Sequence, residues 1–180
     1  MGQPTVAVIL PIVRLSNRLD TRHTSHEENH TIINLLTSAN SFSKSIEVRK
    51  TLTDEWDNSG VKRGEEYAAL TDLMSRTWSG MTTRQYKQYK GLKKENLRDN
   101  MTNTELVLNM LAEVATTDIS IAKQPSGFGE SAVVAEEGAK AAQVAREQIE
   151  KSTGKPTVSR LNAMELGQRR LDAAKEGDGK

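Results

Sequence analysis

Three histidines near the start of the chain follow a spacing that could bind zinc. His26 and His30 are four residues apart and Glu27 follows the first of them, which is the HExxH arrangement. On a helix this spacing places two imidazoles on one face to bind Zn²⁺, and the glutamate can act as a general base on the bound water. His23 offers a third nitrogen nearby. The pattern therefore raises the hypothesis of a zinc peptidase.

The surroundings of this pattern argue against catalysis. Thr24 and Ser25 precede it, where a metalloprotease helix would carry apolar residues that bury it. Glu28 adds a second carboxylate, and no histidine occurs later in the chain. We therefore predict no catalytic residue, no metal and no other cofactor. If a metal is bound, its candidate ligands are His23, His26 and His30.

The densest positive charge lies between Trp78 and Met110. This segment contains six cationic and three anionic residues, although the formal net charge of the whole chain is only +1. Spacings of three and four residues would line several cations along one face if the segment is helical, and such a stripe can neutralise phosphates. We predict that the residues binding nucleic acid or another partner are Arg84, Tyr86, Lys87, Tyr89, Lys90, Lys93, Lys94 and Arg98.

The two tyrosines of this basic run allow two interpretations. Tyr86 and Tyr89 could stack on bases beside the cations, as aromatic residues do in proteins that bind single strands. Alternatively, the tyrosines belong to the hydrophobic core and the cations form a solvated helix face. Both interpretations stay open at the level of sequence.

No other set of residues points to catalysis. The chain has no cysteine, which excludes disulfides and thiolate zinc sites. There is no glycine-rich phosphate loop, and the Gly127-Phe128-Gly129 segment lacks the third glycine and the preceding strand of a dinucleotide site. No histidine follows His30, so a Ser–His nucleophile in the rest of the chain is excluded. We predict that the protein is not an enzyme.

Composition predicts a small core within long solvated helices, because only 36% of residues are hydrophobic and 4% aromatic. Residues 1–45 are rich in Ser, Thr, Asn and His, and we interpret them as an arm that is disordered or depends on a partner. The apolar run from Val6 to Val13 is too short to span a bilayer and lacks the preceding positive charge of a signal peptide. We therefore expect a cytoplasmic protein without membrane association, with a helical domain at 46–175 and a tail at 176–180.

Helical patterns dominate from Ile46 onward, and they predict an all-α fold. Thr82 with Gln85 and Thr102 with Glu105 match the capping box that begins a helix. Helix ends are predicted at Gly60, Gly80, Gly91 and Gly154. Core-facing positions are predicted at Tyr67, Leu70, Met74 and Trp78 in one helix, and at Leu106, Val107, Met110, Leu111 and Val114 in a later one.

Near the end of the chain, the pattern predicts a loop, a long helix and a final short helix. Pro125, Gly127 and Gly129 indicate the loop, and Ser159 could cap the final helix. The long helix has a narrow face of small side chains between Val134 and Ile149, which would suit a partner helix or homo-oligomerisation.

Four sequence segments carry a resemblance to a known family. They are VRKTLTDEW, GVKRGEEYAALTD, TWSGMTTRQYKQYKGLKKENLRDNMTNTELVLNMLAE and VAREQIEKSTGKP. The region of about residues 46–163 resembles the C-terminal domain of a bacterial and phage group. This group includes the DNA-damage-inducible protein D and phage antirepressor-like proteins with a BRO amino-terminal domain. Longer relatives place the BRO domain ahead of this region, whereas residues 1–45 show no similarity to it.

The resemblance implies an SOS-response or prophage context and, by analogy, action on a recombinase filament on single-stranded DNA. It supplies no functional motif that maps residue by residue. We therefore expect a non-enzymatic regulatory protein that binds nucleic acid or a nucleoprotein filament. The alternatives are a protein–protein module, such as a phage regulator or anti-defence factor docking on a host protein, and the zinc peptidase.

Overall fold

A computed structural model describes residues 43–162 together with Glu165 and Gly167. The chain divides into two units between Lys44 and Ser45. The histidine pattern and nearly all of the predicted arm lie outside the described residues. The α-helices are α1 (43–58), α2 (Glu65–Ser79), α3 (Thr83–Tyr89), α4 (Asn103–Lys123) and α5 (Gly127–Thr153), with a 3₁₀ turn at Arg98–Asn100. The predicted all-α fold is confirmed, because the described residues contain no strand.

The predicted boundaries of α2 and α3 are confirmed. Leu70, Met74 and Trp78 of α2 are buried, and Gly80 ends this helix in the left-handed conformation with φ 82°. At the start of α3, the Thr82 amide donates to Gln85 Oε1 at 2.9 Å, and the Gln85 amide donates back to Thr82 Oγ1 at 3.3 Å. These reciprocal bonds satisfy amides that have no partner in the first turn of a helix.

The long helix α5 packs against α4 and α2 through its small residues. Ala135, Gly138, Ala139 and Ala142 are all buried. A Cβ atom added at Gly138 would lie 2.3 Å from Thr116 Oγ1 and 2.5 Å from Thr116 N, so glycine is required for the close approach of α5 to α4. The buried small residues are therefore used inside the chain and are not available to a second one.

The predicted apolar stripe of α4 is wrong in its orientation. Val107, Leu111 and Val114 are exposed by 62%, 37% and 40%, while Leu106 and Met110 are half-buried. The buried face instead carries Glu105, Leu108, Ala112, Glu113, Thr116, Thr117 and Ser120.

Two local features explain how a polar face of α4 can be buried. The Thr116 hydroxyl donates to the Ala112 carbonyl at 2.8 Å, and the Thr117 hydroxyl donates to the Glu113 carbonyl at 2.9 Å. These bonds remove the penalty for burying an unpaired hydroxyl. Threonine is also small enough to meet Gly138, whereas a leucine at the same place would hold the helices apart.

Two further boundaries differ from the prediction. Gly127 and Gly129 lie in the first turn of α5 rather than in a loop. Ser159 does not cap the final helix. Asn162 instead exchanges hydrogen bonds with Glu165, one of the described helical residues: its Oδ1 accepts from the Glu165 amide at 3.1 Å, and its own amide donates to Glu165 Oε2 at 3.2 Å.

Candidate nucleic-acid interface

The basic run does not form the single stripe that its spacing predicts. Helix α3 ends at Tyr89, and Gly91 follows with φ 70°. The residues from 90 to 97 are not helical. Because the helix stops there, Lys87, Lys90, Lys94 and Arg98 do not share a helical face, and this part of the prediction is wrong.

Tyr86 belongs to the core. Its side chain is fully buried, and its ring centroid lies 6.0 Å from that of Trp78. Burial, with the nearby Glu105 carboxylate, raises the pKa of the Tyr86 hydroxyl well above its usual range. Tyr86 therefore cannot stack on a base, and the core interpretation of this tyrosine is the correct one.

Lys90 is also buried, and it contacts Glu105 rather than solvent. Its Nζ lies 2.8 Å from Glu105 Oε2 and donates to the Leu161 carbonyl at 2.6 Å. The other oxygen of Glu105 accepts from the Ser159 amide at 2.8 Å. This network ties the end of α3 and the start of α4 to residues 159–161, so Lys90 has a structural role. The position of Lys90 four residues after Tyr86 was a signal for the side on which it lies, because residues at that spacing share a helix face, but it did not identify the groups that neutralise Lys90.

Arg98 is engaged within the fold. Its Nη2 forms a short ion pair with Glu113 Oε1, and its Nη1 donates to the Ser45 carbonyl at 2.9 Å. Arg49 Nη1 lies 3.5 Å from the same carboxylate oxygen, and Arg49 Nη2 donates to Thr71 Oγ1 at 2.7 Å. Sequence reasoning missed Arg49 and Glu113, because no local spacing relates them to Arg98.

Three cations of the predicted set meet at one open cleft. Arg84, Lys87 and Lys93 line it, and Asp72 supplies its carboxylate. Asp72 Oδ1 accepts from the Thr83 amide at 3.0 Å. Within the part of the chain that the structure describes, none of these three cations has an ion-pair partner. We name this surface, formed by Arg84, Lys87 and Lys93, the cationic cleft.

The segment that carries Lys93 is ordered by a neighbouring carboxylate. Glu95 Oε2 accepts from the backbone amides of Lys93 and Lys94 at 2.6 and 2.9 Å. These backbone hydrogen bonds lower the pKa of Glu95. Glu95 thus holds the turn in place, and both lysine side chains are exposed beside it.

Tyr89 is the tyrosine of the pair that reaches the surface, where it is 36% exposed. The guanidinium of Arg160 lies 5.4 Å from its ring centroid, in a cation–π contact. Arg160 therefore covers one face of the ring, and a base could use only the other face unless Arg160 moves.

The described residues contain no group of three or more His, Asp or Glu side chains that could hold a metal ion. The candidate ligands His23, His26 and His30 lie outside these residues, so the zinc hypothesis stays a prediction. In the same part of the chain, no helix combines the length and apolar character needed to cross a bilayer. No family model, no curated protein and no solved structure matches this chain.

Proposed function

We propose that the protein binds nucleic acid through the cationic cleft and acts without catalysis. The observation that supports this proposal is the convergence of Arg84, Lys87 and Lys93 on one concave surface, where none of them has an ion-pair partner among residues 43–162. Cations that share a cleft raise its local positive potential, and an anionic polymer relieves the repulsion among them by replacing small counterions.

The biological context of the proposal comes from the family resemblance. The DNA-damage-inducible and phage group suggests a cytoplasmic regulator of SOS-response or prophage type. Its ligand would be single-stranded DNA, alone or within a recombinase filament. Lys94, exposed beside Lys93, would extend the same surface.

Salt dependence of binding by the unmodified chain tests the proposal. Fluorescence anisotropy would measure affinity for labelled single-stranded DNA, duplex DNA and RNA between low and physiological salt. Three phosphate contacts predict a slope of log K against log salt of about −2 on a single strand, at roughly 0.7 per contact. Absence of binding to all three polymers at low salt would end the proposal.

A second candidate function is docking on a host protein. It is favoured by the apolar residues that α4 exposes: Val107, Leu111, Val114 and Ile121, with Ile121 57% exposed. Their spacings of four, three and seven residues place them on one face of α4, and such exposed patches commonly mark interaction surfaces.

A pull-down from cell extract, with and without nuclease, separates the two candidates. A protein captured equally in both conditions, and lost with Leu111→Lys plus Val114→Lys, supports docking through α4. Capture that disappears with nuclease supports the nucleic-acid proposal. Sedimentation at several protein concentrations would show whether the α4 face instead binds a second copy of the chain.

A further inference from the structure

A second cleft lies beside the cationic cleft and has a different chemistry. It encloses about 270 Å³ and is lined by residues from α1, α2, α4 and the turn that precedes α4. Drug-sized ligands occupy pockets of roughly 300–1,000 Å³, so this cleft suits a small ion or the end group of a larger ligand. Its lining includes Arg49, Arg98, Asn109 and Glu113.

The charges in this cleft do not balance. The guanidiniums of Arg49 and Arg98 both contact one carboxylate oxygen, Glu113 Oε1. Two cations thus meet one anion, which leaves an excess of one positive charge. Burial lowers the pKa of Arg49, and the charge of Arg98 adds to that effect while Glu113 opposes it. A ligand with one negative charge would neutralise the cleft.

The second oxygen of the same carboxylate lacks a partner. Glu113 is 3% exposed, and its Oε2 accepts no hydrogen bond from the residues that the structure describes. A buried carboxylate oxygen without a donor is unfavourable, because it has lost its hydrogen bonds to water. Glu113 is itself one of the residues that line the cleft. A ligand that reaches Oε2 must donate a hydrogen bond to it while it accepts hydrogen bonds from the arginines.

The guanidiniums have donors to spare. Each carries five N–H groups, and the hydrogen bonds and ion pairs described above engage two nitrogens of each. The side-chain amide of Asn109 lines the same cleft and has no hydrogen bond to the described residues. The site therefore offers several N–H donors, one amide and one carboxylate acceptor.

We propose that the cleft of Arg49, Arg98 and Glu113 binds a phosphate group that carries one negative charge and keeps at least one proton. Such a group accepts hydrogen bonds from both guanidiniums, and its P–OH donates a hydrogen bond to Glu113 Oε2. Sulfate has no proton near neutral pH and would place an oxygen lone pair against the carboxylate. The cleft thus selects phosphate over sulfate.

The phosphate has two possible sources, which share this chemistry. Thr83 lines both clefts, so a strand bound in the cationic cleft could place its terminal phosphate here. A terminal phosphate monoester has a second pKa near 6 and can keep the proton that this site requires. A free phosphate ion has the same property. Binding of free phosphate does not rest on the proposed function, whereas binding of the strand end does.

Calorimetric titration of the full chain tests the proposal directly. In a buffer free of both ions at about pH 6, where inorganic phosphate is mostly the singly charged dihydrogen ion, phosphate should bind at least about tenfold more tightly than sulfate. Equal affinities, or no binding of phosphate, would overturn the assignment. This comparison needs no variant, so it holds even if substitution in the cleft prevents folding.

Two variants locate the site. Glu113→Gln should abolish the preference for phosphate, because an amide N–H can donate to a sulfate oxygen. Arg84→Gln, Lys87→Gln and Lys93→Gln together should leave that preference intact, since they alter only the cationic cleft. If this triple variant loses the preference and Glu113→Gln keeps it, the phosphate belongs to the cationic cleft and the proposal fails.

Single strands that differ only at the 5′ end separate the two sources. Tighter binding of the 5′-phosphorylated strand than of the 5′-hydroxyl strand, with the difference lost in Glu113→Gln, identifies a strand terminus as the ligand. Equal binding of both strands, with phosphate still preferred over sulfate, identifies free phosphate. Failure of both strands to bind would end the proposed function but not the phosphate site.

Discussion

Lys90 and Glu105 form an ion pair in which both side chains are completely buried, with Nζ 2.8 Å from Oε2. The pair joins the end of α3 to the capping box of α4, because Glu105 Oε2 also accepts from the Thr102 amide at 2.6 Å. The Glu105 carboxylate therefore caps the first turn of α4, neutralises a buried lysine and accepts a hydrogen bond from the Ser159 amide. A lysine that appeared to be part of a binding surface is instead an element of the core.

Replacement of Lys90 should be strongly destabilising. Lys90→Met leaves Glu105 buried without its countercharge, and breaking one side of a buried ion pair costs about 3–5 kcal/mol. Urea unfolding followed by circular dichroism would measure the loss. Lys94→Met is the matched control, because Lys94 is exposed four residues later and should change stability by less than about 0.5 kcal/mol. Equal effects of the two substitutions would contradict the structural role of Lys90.

Helix boundaries were predictable from the sequence because their causes are local. The Thr82–Gln85 and Thr102–Glu105 boxes each act within four residues, and Gly80 ends α2 through its own backbone. By contrast, the contacts that a side chain makes depend on residues far away in the sequence. The partners of Lys90 lie 15 and 71 residues away, so no spacing within the basic run could identify the groups that neutralise it.

The orientation of α4 could not be predicted from its local sequence pattern either. Its hydrophobic residues predict one buried face, but close contact with Gly138 of α5 requires the threonine face. A long-range packing partner thus overrode the apolar periodicity of the helix. The same packing leaves apolar residues of α4 exposed, and their exposure favours the second candidate function, docking on a host protein.

Truncation of two adjacent residues of α4 should have very different effects on the free energy of unfolding. Leu108 is 2% exposed, so Leu108→Ala should destabilise the fold by about 2–5 kcal/mol through lost burial and a cavity. Val107 is 62% exposed, and Val107→Ala should change the free energy of unfolding by less than about 0.5 kcal/mol. Chemical denaturation of the two variants measures both effects. A larger effect at Val107 would restore the original prediction for this helix.

Glycine at position 138 should be needed for packing. Gly138→Ala places a methyl group against the backbone of Thr116, and the strain of overpacking costs typically about 1–3 kcal/mol. Gly129→Ala serves as its control in the same helix, because nothing lies within 4 Å of a Cβ there. Higher helix propensity should make that control neutral or more stable by up to about 1 kcal/mol. Thermal unfolding that ranks the two variants in the reverse order would refute the close contact of α4 with α5.

The pH dependence of stability should contain a contribution from Asp57. Arg63 donates to both of its oxygens and the Tyr67 hydroxyl donates to Oδ1 at 2.6 Å, and these bonds lower the pKa of Asp57 to about 2. A carboxyl in an unfolded chain has a pKa of about 3.9. The stabilisation is therefore complete above about pH 5 and is lost as the pH falls towards 2.

The difference in unfolding free energy between the wild type and Asp57→Asn tests this expectation. It should be constant above about pH 5 and should shrink between about pH 4 and pH 2. Arg63→Gln is the companion variant, because removal of the guanidinium should raise the pKa of Asp57 towards its ordinary value. A difference that does not vary with pH would contradict the role of Arg63.

The most direct test of the central claim compares two charge-matched triple variants by fluorescence anisotropy on single-stranded DNA. The first carries Arg84→Gln, Lys87→Gln and Lys93→Gln, which remove the three positive charges of the cationic cleft. The second carries Lys62→Gln, Lys151→Gln and Lys155→Gln, three exposed lysines that do not line this cleft. The cleft variant should bind far more weakly than the wild type, with its salt slope reduced by about 2, while the control keeps both affinity and slope. Equal losses in the two variants, or no loss in the first, would contradict nucleic-acid binding through this surface.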